Sequence, residues 1–81
     1  DAKTELQEWL QARRLPVPTY RISGTRGQAH AQTFEVDCEV PALGLTQAGE
    51  GKSRRQAEQE AARRMIDLLK ASDRPGGPLR S

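Results

Sequence analysis

The sequence predicts an α+β fold of order α-β-β-β-α. Two helices cover one face of a three-stranded antiparallel sheet to make a two-layer sandwich. Three observations predict this. Residues 33–40 alternate apolar and polar side chains without a break, the mark of a strand with one dry and one wet face. Both ends of the chain instead carry apolar residues at helical spacing. Proline and glycine punctuate the joints between these stretches.

The first helix is predicted from about Lys3 to Arg13. Asp1 suits its N-cap, and Glu5 suits the positive end of the helix dipole. Leu6, Trp9 and Leu10 form its apolar stripe, while Thr4, Gln7, Glu8 and Gln11 fall together on the other side. Pro16 and Pro18 stop the helix and lead into an extended segment. Thr19 to Arg26 reads as a strand with Tyr20 and Ile22 on one face, followed by a loop, Gly27-Gln28-Ala29-His30. In the central strand Phe34, Val36, Cys38 and Val40 form the dry face against Thr33, Glu35, Asp37 and Glu39. Phe34 is thereby expected in the core, where truncation to alanine costs roughly 3–5 kcal/mol. Pro41 to Leu43 makes a turn, and a third strand covers about Leu45 to Glu50.

Ser53 is the expected N-cap of the second helix, which runs to about Ala71. Ala57, Ala61, Ala62, Met65, Ile66, Leu68 and Leu69 give it a wide apolar face, suited to lying across a sheet. Gly49 and Gly51 are expected to let the backbone turn sharply ahead of the cap. Arg54, Arg55 and Glu58 fall on the apolar half of the wheel, so the first turn has to project past the sheet edge toward a partner. Residues 1–72 are expected to form one domain, with 73–81 as a flexible tail.

The single cysteine, Cys38, rules out an intrachain disulfide and fits a reducing cytoplasm. No apolar run approaches a membrane span. Net charge is only +2, but the charges are unevenly placed. Lys52, Arg54 and Arg55 crowd one pole, whereas Glu35, Asp37 and Glu39 line one strand face; such a body meets a polyanion with its basic pole. The acidic row reads as a solvated surface, not a catalytic carboxylate cluster. Gly51-Lys52-Ser53 mimics the end of a nucleotide phosphate loop, but Thr46 stands where that pattern requires glycine. His30 and Cys38 are too few for a zinc site, and one histidine supplies no nucleophilic triad. No catalytic residue, metal ligand, cofactor or small-molecule site is therefore expected. Trp9 and Tyr20 read as core aromatics and not as platforms for stacking single-stranded bases.

Three stretches carry a resemblance. They are Thr4 to Gln11, the Gly27-Gln28-Ala29-His30 loop, and Gly49-Glu50-Gly51-Lys52-Ser53-Arg54-Arg55-Gln56-Ala57-Glu58, in that order and at fitting separations. Together they resemble the double-stranded-RNA-binding domain over about Asp1 to Leu69. The runs Gln7 to Leu10, Leu15 to Tyr20, Gly27 to His30 and Arg54 to Gln59 are similar to the C-terminal domain of ribonuclease III. The resemblance implies shape-based binding of duplex RNA, a mode mostly indifferent to base sequence. It implies contacts from Thr4, Gln7, Glu8 and Gln11 to one minor groove and from Gln28 and His30 to a second. Lys52, Ser53, Arg54 and Arg55 would meet phosphates across the major groove between them. Glu58 stands where many such domains carry a lysine, which takes it out of the phosphate set and implies weaker intrinsic affinity.

The resemblance further implies a homodimeric, magnesium-dependent parent endoribonuclease that processes structured RNA, including ribosomal precursors, its nuclease half lying outside this chain. This chain is thus not expected to cleave RNA by itself. A module of the same fold serving protein–protein association is the alternative reading; the basic residues and His30 argue against it.

Overall fold

The computed structural model describes residues 1–73. The elements follow in the order α1 (Ala2–Ala12), β1 (Thr19–Arg26), β2 (Thr33–Val40), a 3₁₀ turn (Pro41–Leu43), β3 (Leu45–Gly51) and α2 (Arg54–Asp73). The strands form one antiparallel sheet in the order β1-β2-β3.

Helix α1 begins where Asp1 accepts a hydrogen bond from the Thr4 N–H at 2.9 Å. It ends in a left-handed turn before Pro16. The Arg14 N–H donates to the Gln11 carbonyl and the Leu15 N–H to the Leu10 carbonyl, with Arg14 at φ 59°. This turn swings Leu15 back onto the core. Helix α2 lies over β3 and β2, and α1 packs along α2. Gln59 lies beside Ala2, Arg63 beside Glu5, and Asp73 beside Arg13, so the two helices run in the same direction. Both N-termini therefore open toward one end of the molecule.

Leu6 and Leu10 of α1, Cys38 and Val40 of β2, and Ala61, Ala62, Met65, Ile66 and Leu69 of α2 make the core. The alternation in β2 holds for Val36, Cys38 and Val40, which are fully buried. Phe34 lies on the same face but is only half-buried. It pairs with Thr25 and Gly51 at the end of the sheet, beneath only the first turn of α2. Its truncation should accordingly cost about 1–2 kcal/mol, below the range for a full core aromatic. Ile22, expected to face inward beside Tyr20, is 38% exposed. It still pairs with the buried Val36 on the inward face, but the helices lie over β2 and β3 and leave this edge strand little covered; the β1–β2 register shifts just beyond it, between Ile22 and Gly24.

The glycines before α2 also act differently than expected. Among the described residues the positive-φ glycines are Gly27 and Gly44, so Gly49 and Gly51 make no left-handed turn. They let the helix come close instead. A Cβ on Gly49 would sit 2.2 Å from the Ala61 nitrogen and 2.7 Å from the Ala57 oxygen. One on Gly51 would sit 2.5 Å from the Ala57 nitrogen. At the far end α2 continues through Asp73, expected as the first tail residue, because Asp73 is tied to Arg13 at 2.9 Å. The rest of the predicted tail, 74–81, lies outside the described residues.

Gly49→Ala must push α2 off the sheet. We expect a loss of about 3 kcal/mol by urea denaturation, the upper range for overpacking. A melt unchanged from wild type would show that the helix does not rest on this glycine.

Candidate nucleic-acid interface

The sheet register decides which loops meet. Arg26 pairs with Thr33, and Phe34 with Gly51, so the β1–β2 loop and the β3–α2 junction leave the sheet at the same end. The Lys52 ammonium reaches the Thr33 hydroxyl at 3.4 Å and links the two. Gly27 starts the loop at φ 89°, where a Cβ would lie 2.6 Å from the Ala31 carbonyl oxygen. The Ala31 N–H donates to the Gln28 carbonyl at 2.8 Å and closes a turn, leaving Gln28, Ala29 and His30 exposed.

At the junction Ser53 caps α2 as expected, its hydroxyl accepting from the Gln56 N–H at 3.1 Å. The Gln56 side chain reaches back to the Lys52 N–H at 3.0 Å, so two donors at the start of the helix are satisfied by one pair of side chains. Arg54 and Arg55 are both exposed but not equivalent. Arg54 is bound to Glu58 at 2.9 Å, whereas Lys52 and Arg55 have no ion-pair partner among the described residues.

Thr4, Gln7, Glu8 and Gln11 are all exposed on one side of α1, as the wheel predicts. Thr4 and Gln7 line the same cleft as Arg54 and Arg55, a space of about 630 Å³ that also touches Asp1, Lys3, Glu58 and Gln59. Two of the three predicted patches are thus walls of one cleft. Glu8 and Gln11 continue the α1 wall outside it, and the loop with Gln28 and His30 stands at the sheet end next to Lys52. Sequence reasoning missed Lys3 and Gln59. Lys3 lies four residues before Gln7, on the same helical stripe, so the wheel already placed it there. Gln59 gave no such signal, since its role depends on the helix packing beside it.

Glu58 fills the back of the cleft. Its side chain is only 12% exposed and receives Lys3 at 2.6 Å and Arg54 at 2.9 Å. Burial pushes its pKa up, but the hydrogen bonds and charges of Lys3 and Arg54 outweigh burial and hold the carboxyl below its ordinary value. Lys3 also stands over the Tyr20 ring, 4.8 Å from its centre. Burial raises the Tyr20 phenol and pushes the Cys38 thiol up to about 11, so both stay neutral in the dry layer beneath.

The opposite sheet face is largely self-compensated. Arg21 lies 3.5 Å from Asp37 and 3.7 Å from Glu39, and Arg26 bridges Glu35 and Glu50. On β3, the Thr46 and Ala48 carbonyls accept from the side chains of Gln47 and Arg64 at 2.9 and 3.1 Å, which blunts this edge strand. Among the described residues no group of three or more histidine, cysteine, aspartate or glutamate side chains is placed to hold a metal ion.

This arrangement defines a class: an α-β-β-β-α domain with a mixed polar and basic surface at its helix N-termini. Known proteins identify it further. The family model for the double-stranded RNA binding motif matches residues 2–69. Ribonuclease 3 of Variovorax paradoxus is 58% identical over 71 residues, covering 88% of this chain and 31% of that enzyme. Ribonuclease 3 of Coxiella burnetii is 58% identical over 69 residues, covering 85% and 29%. The solved structure of Arabidopsis HYL1 superposes with a TM-score of 0.68 at 31% identity, over 84% of this chain and 96% of that one. The first double-stranded-RNA-binding domain of HYL1 gives 0.65 at 33% identity, over 86% and 99%. The chain belongs to the double-stranded RNA binding motif family and is homologous to the C-terminal RNA-binding domain of bacterial ribonuclease III. It spans about a third of the length of those enzymes.

The Glu58 pairing sets a pH dependence. A folded-state pKa below the unfolded value contributes stability that is complete above the ordinary carboxylate pKa and lost as pH falls through it toward the folded value. Glu58→Gln should therefore flatten the loss of stability below about pH 5. Thermal melts across an acid series read this directly; parallel curves for the two proteins would contradict the pairing.

Proposed function

We propose that this chain binds double-stranded RNA by shape and serves as the substrate-holding module of a ribonuclease III-like endoribonuclease. The observation that carries this reading is the single cleft shared by neutral hydrogen-bonding side chains of α1 and cations of α2, with a protruding loop at the same sheet end. An A-form duplex offers 2′-hydroxyls in a wide minor groove and phosphates along a narrow major groove. Thr4, Gln7 and Gln11 both donate and accept and Glu8 accepts, which suits 2′-hydroxyls. Gln28 and His30 reach a second minor groove about one turn away. The α2 N-terminus, with Ser53, Lys52, Arg54 and Arg55, takes phosphates from the groove between, helped by its free N–H groups and dipole.

The unequal pairing of the cations refines this. Lys52 and Arg55 supply most of the phosphate attraction, because Glu58 already compensates Arg54. In the parent protein the module would deliver structured RNA, ribosomal precursors among them, to a dimeric magnesium-dependent nuclease in the cytoplasm. Association with another protein in place of RNA finds little support, given the blunted β3 edge and the compensated outer sheet face.

Gel shifts with duplex RNA, duplex DNA and single-stranded RNA test the reading; duplex RNA should be preferred, and equal binding to all three would reject it. Arg55→Ala should lower the slope of log K against log salt by about one unit, and Arg54→Ala by clearly less. Equal slopes for these two variants would remove the distinction drawn between them.

A further inference from the structure

Helix α1 has an unusual arrangement at its start. The first N–H groups of any helix lack intrahelical partners and need acceptors from elsewhere. Asp1 supplies one for Thr4. The two before it, on Ala2 and Lys3, are satisfied by neither local side chain nor turn. Both donate to the side-chain oxygen of Gln59 on α2, at 3.0 and 3.3 Å. The acceptor that completes the N-terminus of one helix therefore belongs to another helix, more than fifty positions along the chain.

This places Gln59 between the two elements assigned to the duplex. On one side it follows, within one turn and a half, the basic start of α2. On the other it grips the first turn of α1, immediately before Thr4 and Gln7. The neighbouring Lys3–Glu58 pair crosses the same gap at 2.6 Å. Below them Leu6 and Leu10 pack their apolar side chains against α2, and the other polar ties between the helices are exposed ion pairs, Glu5 with Arg63 and Lys70 and Arg13 with Asp73, farther along both helices. Solvent screens such pairs and they hold geometry weakly. The Gln59 amide is half-buried and less screened, and it holds two backbone N–H groups at once.

We infer that Gln59 is a positioning residue for RNA recognition: it fixes the phase of the α1 reading surface against the phosphate-binding start of α2. The inference rests on the reading given above for these two surfaces. Its consequence is specific. Phosphates occur in RNA and DNA alike, whereas 2′-hydroxyls occur only in RNA. If α1 loses its fixed phase, contacts to 2′-hydroxyls suffer and contacts to phosphates remain. Loss of Gln59 should thus erode the preference for RNA over DNA without changing the salt dependence.

The test compares wild type, Gln59→Leu and Gln59→Glu, each bound to matched RNA and DNA duplexes well below its melting temperature. Leucine keeps the bulk and removes the acceptor. Glutamate keeps the acceptor, and the positive end of the α1 dipole favours it. Gln59→Leu should bind duplex RNA roughly three- to ten-fold more weakly, the scale of one or two lost hydrogen bonds, with DNA binding and salt slope unchanged. Gln59→Glu should restore the RNA-to-DNA ratio, because any effect of its added charge falls on both duplexes equally. A fall in melting temperature with an unchanged ratio would reduce Gln59 to a structural cap and overturn the inference. A parallel loss for RNA and DNA, or a changed salt slope, would overturn it too. Failure of the wild-type domain to prefer RNA would instead sink the underlying reading.

Discussion

The close seat of α2 on β3 is the constraint from which the rest of the surface follows. Gly49 and Gly51 leave no side chain between strand and helix, and Ala57 and Ala61 answer them with the smallest side chain a helix favours. That contact fixes the rotation of α2 about its own axis. With residues 57 and 61 turned to the sheet, 58 and 59 point sideways at α1, while 54 and 55 lie beyond the sheet edge in solvent. The wheel puts Arg54, Arg55 and Glu58 on the apolar half, which looks like a conflict in sequence. The short reach of the sheet resolves it: Ala57 is the first residue of the helix seated on the sheet, Arg54 and Arg55 before it are exposed, and Glu58 is covered by Lys3 instead.

Electrostatics then sorts the charges into compensated and available ones. A net charge of +2 says little about nucleic-acid binding because most of the thirteen lysines and arginines are engaged. Arg21 and Arg26 neutralise the outer sheet face, Arg63 and Lys70 hold Glu5, and Lys3 and Arg54 hold Glu58. Lys52 and Arg55, both beside the free N–H groups of α2, have no ion-pair partner among the described residues, and nor does Arg14 at the far end of α1. The resemblance alone suggested that Glu58 merely fails to contribute a cation. The structure gives it a larger effect, since it also compensates two cations facing the cleft while tying α1 to α2.

The limits of β1 and β2 were legible in the sequence residue for residue, because strict alternation and flanking proline and glycine are local signals. So were Asp1 and Ser53 as caps, whose hydrogen bonds lie within three residues. What escaped was always set by distant chain. Phe34 obeys the alternation perfectly, but burial depends on where α2 starts. Ile22 shares the inward face with Tyr20, but it sits on the edge strand, which the helices do not cover. Gly49 and Gly51 looked like turn glycines beside a helix start, and only the helix lying across them explains their lack of a side chain. Within the site, the surfaces of α1 and α2 were each readable from one helical wheel. Their union in one cleft was not, since no local pattern says that the helices run parallel.

That parallel arrangement bears on how a weakly charged domain can select its duplex. Attraction to phosphate is generic, and adding cations strengthens binding to every nucleic acid together. Selection by shape needs the opposite: few free charges and several modest contacts whose mutual spacing does not adjust. A spacing is only as selective as the parts that hold it are stiff, because a surface that can shift its phase also fits the wrong helix. Here the two N-termini open the same way, one glutamine joins them, and the sheet register sets the loop beside Lys52. Rigidity between the contact elements, more than the strength of any one contact, is what this architecture contributes to recognition.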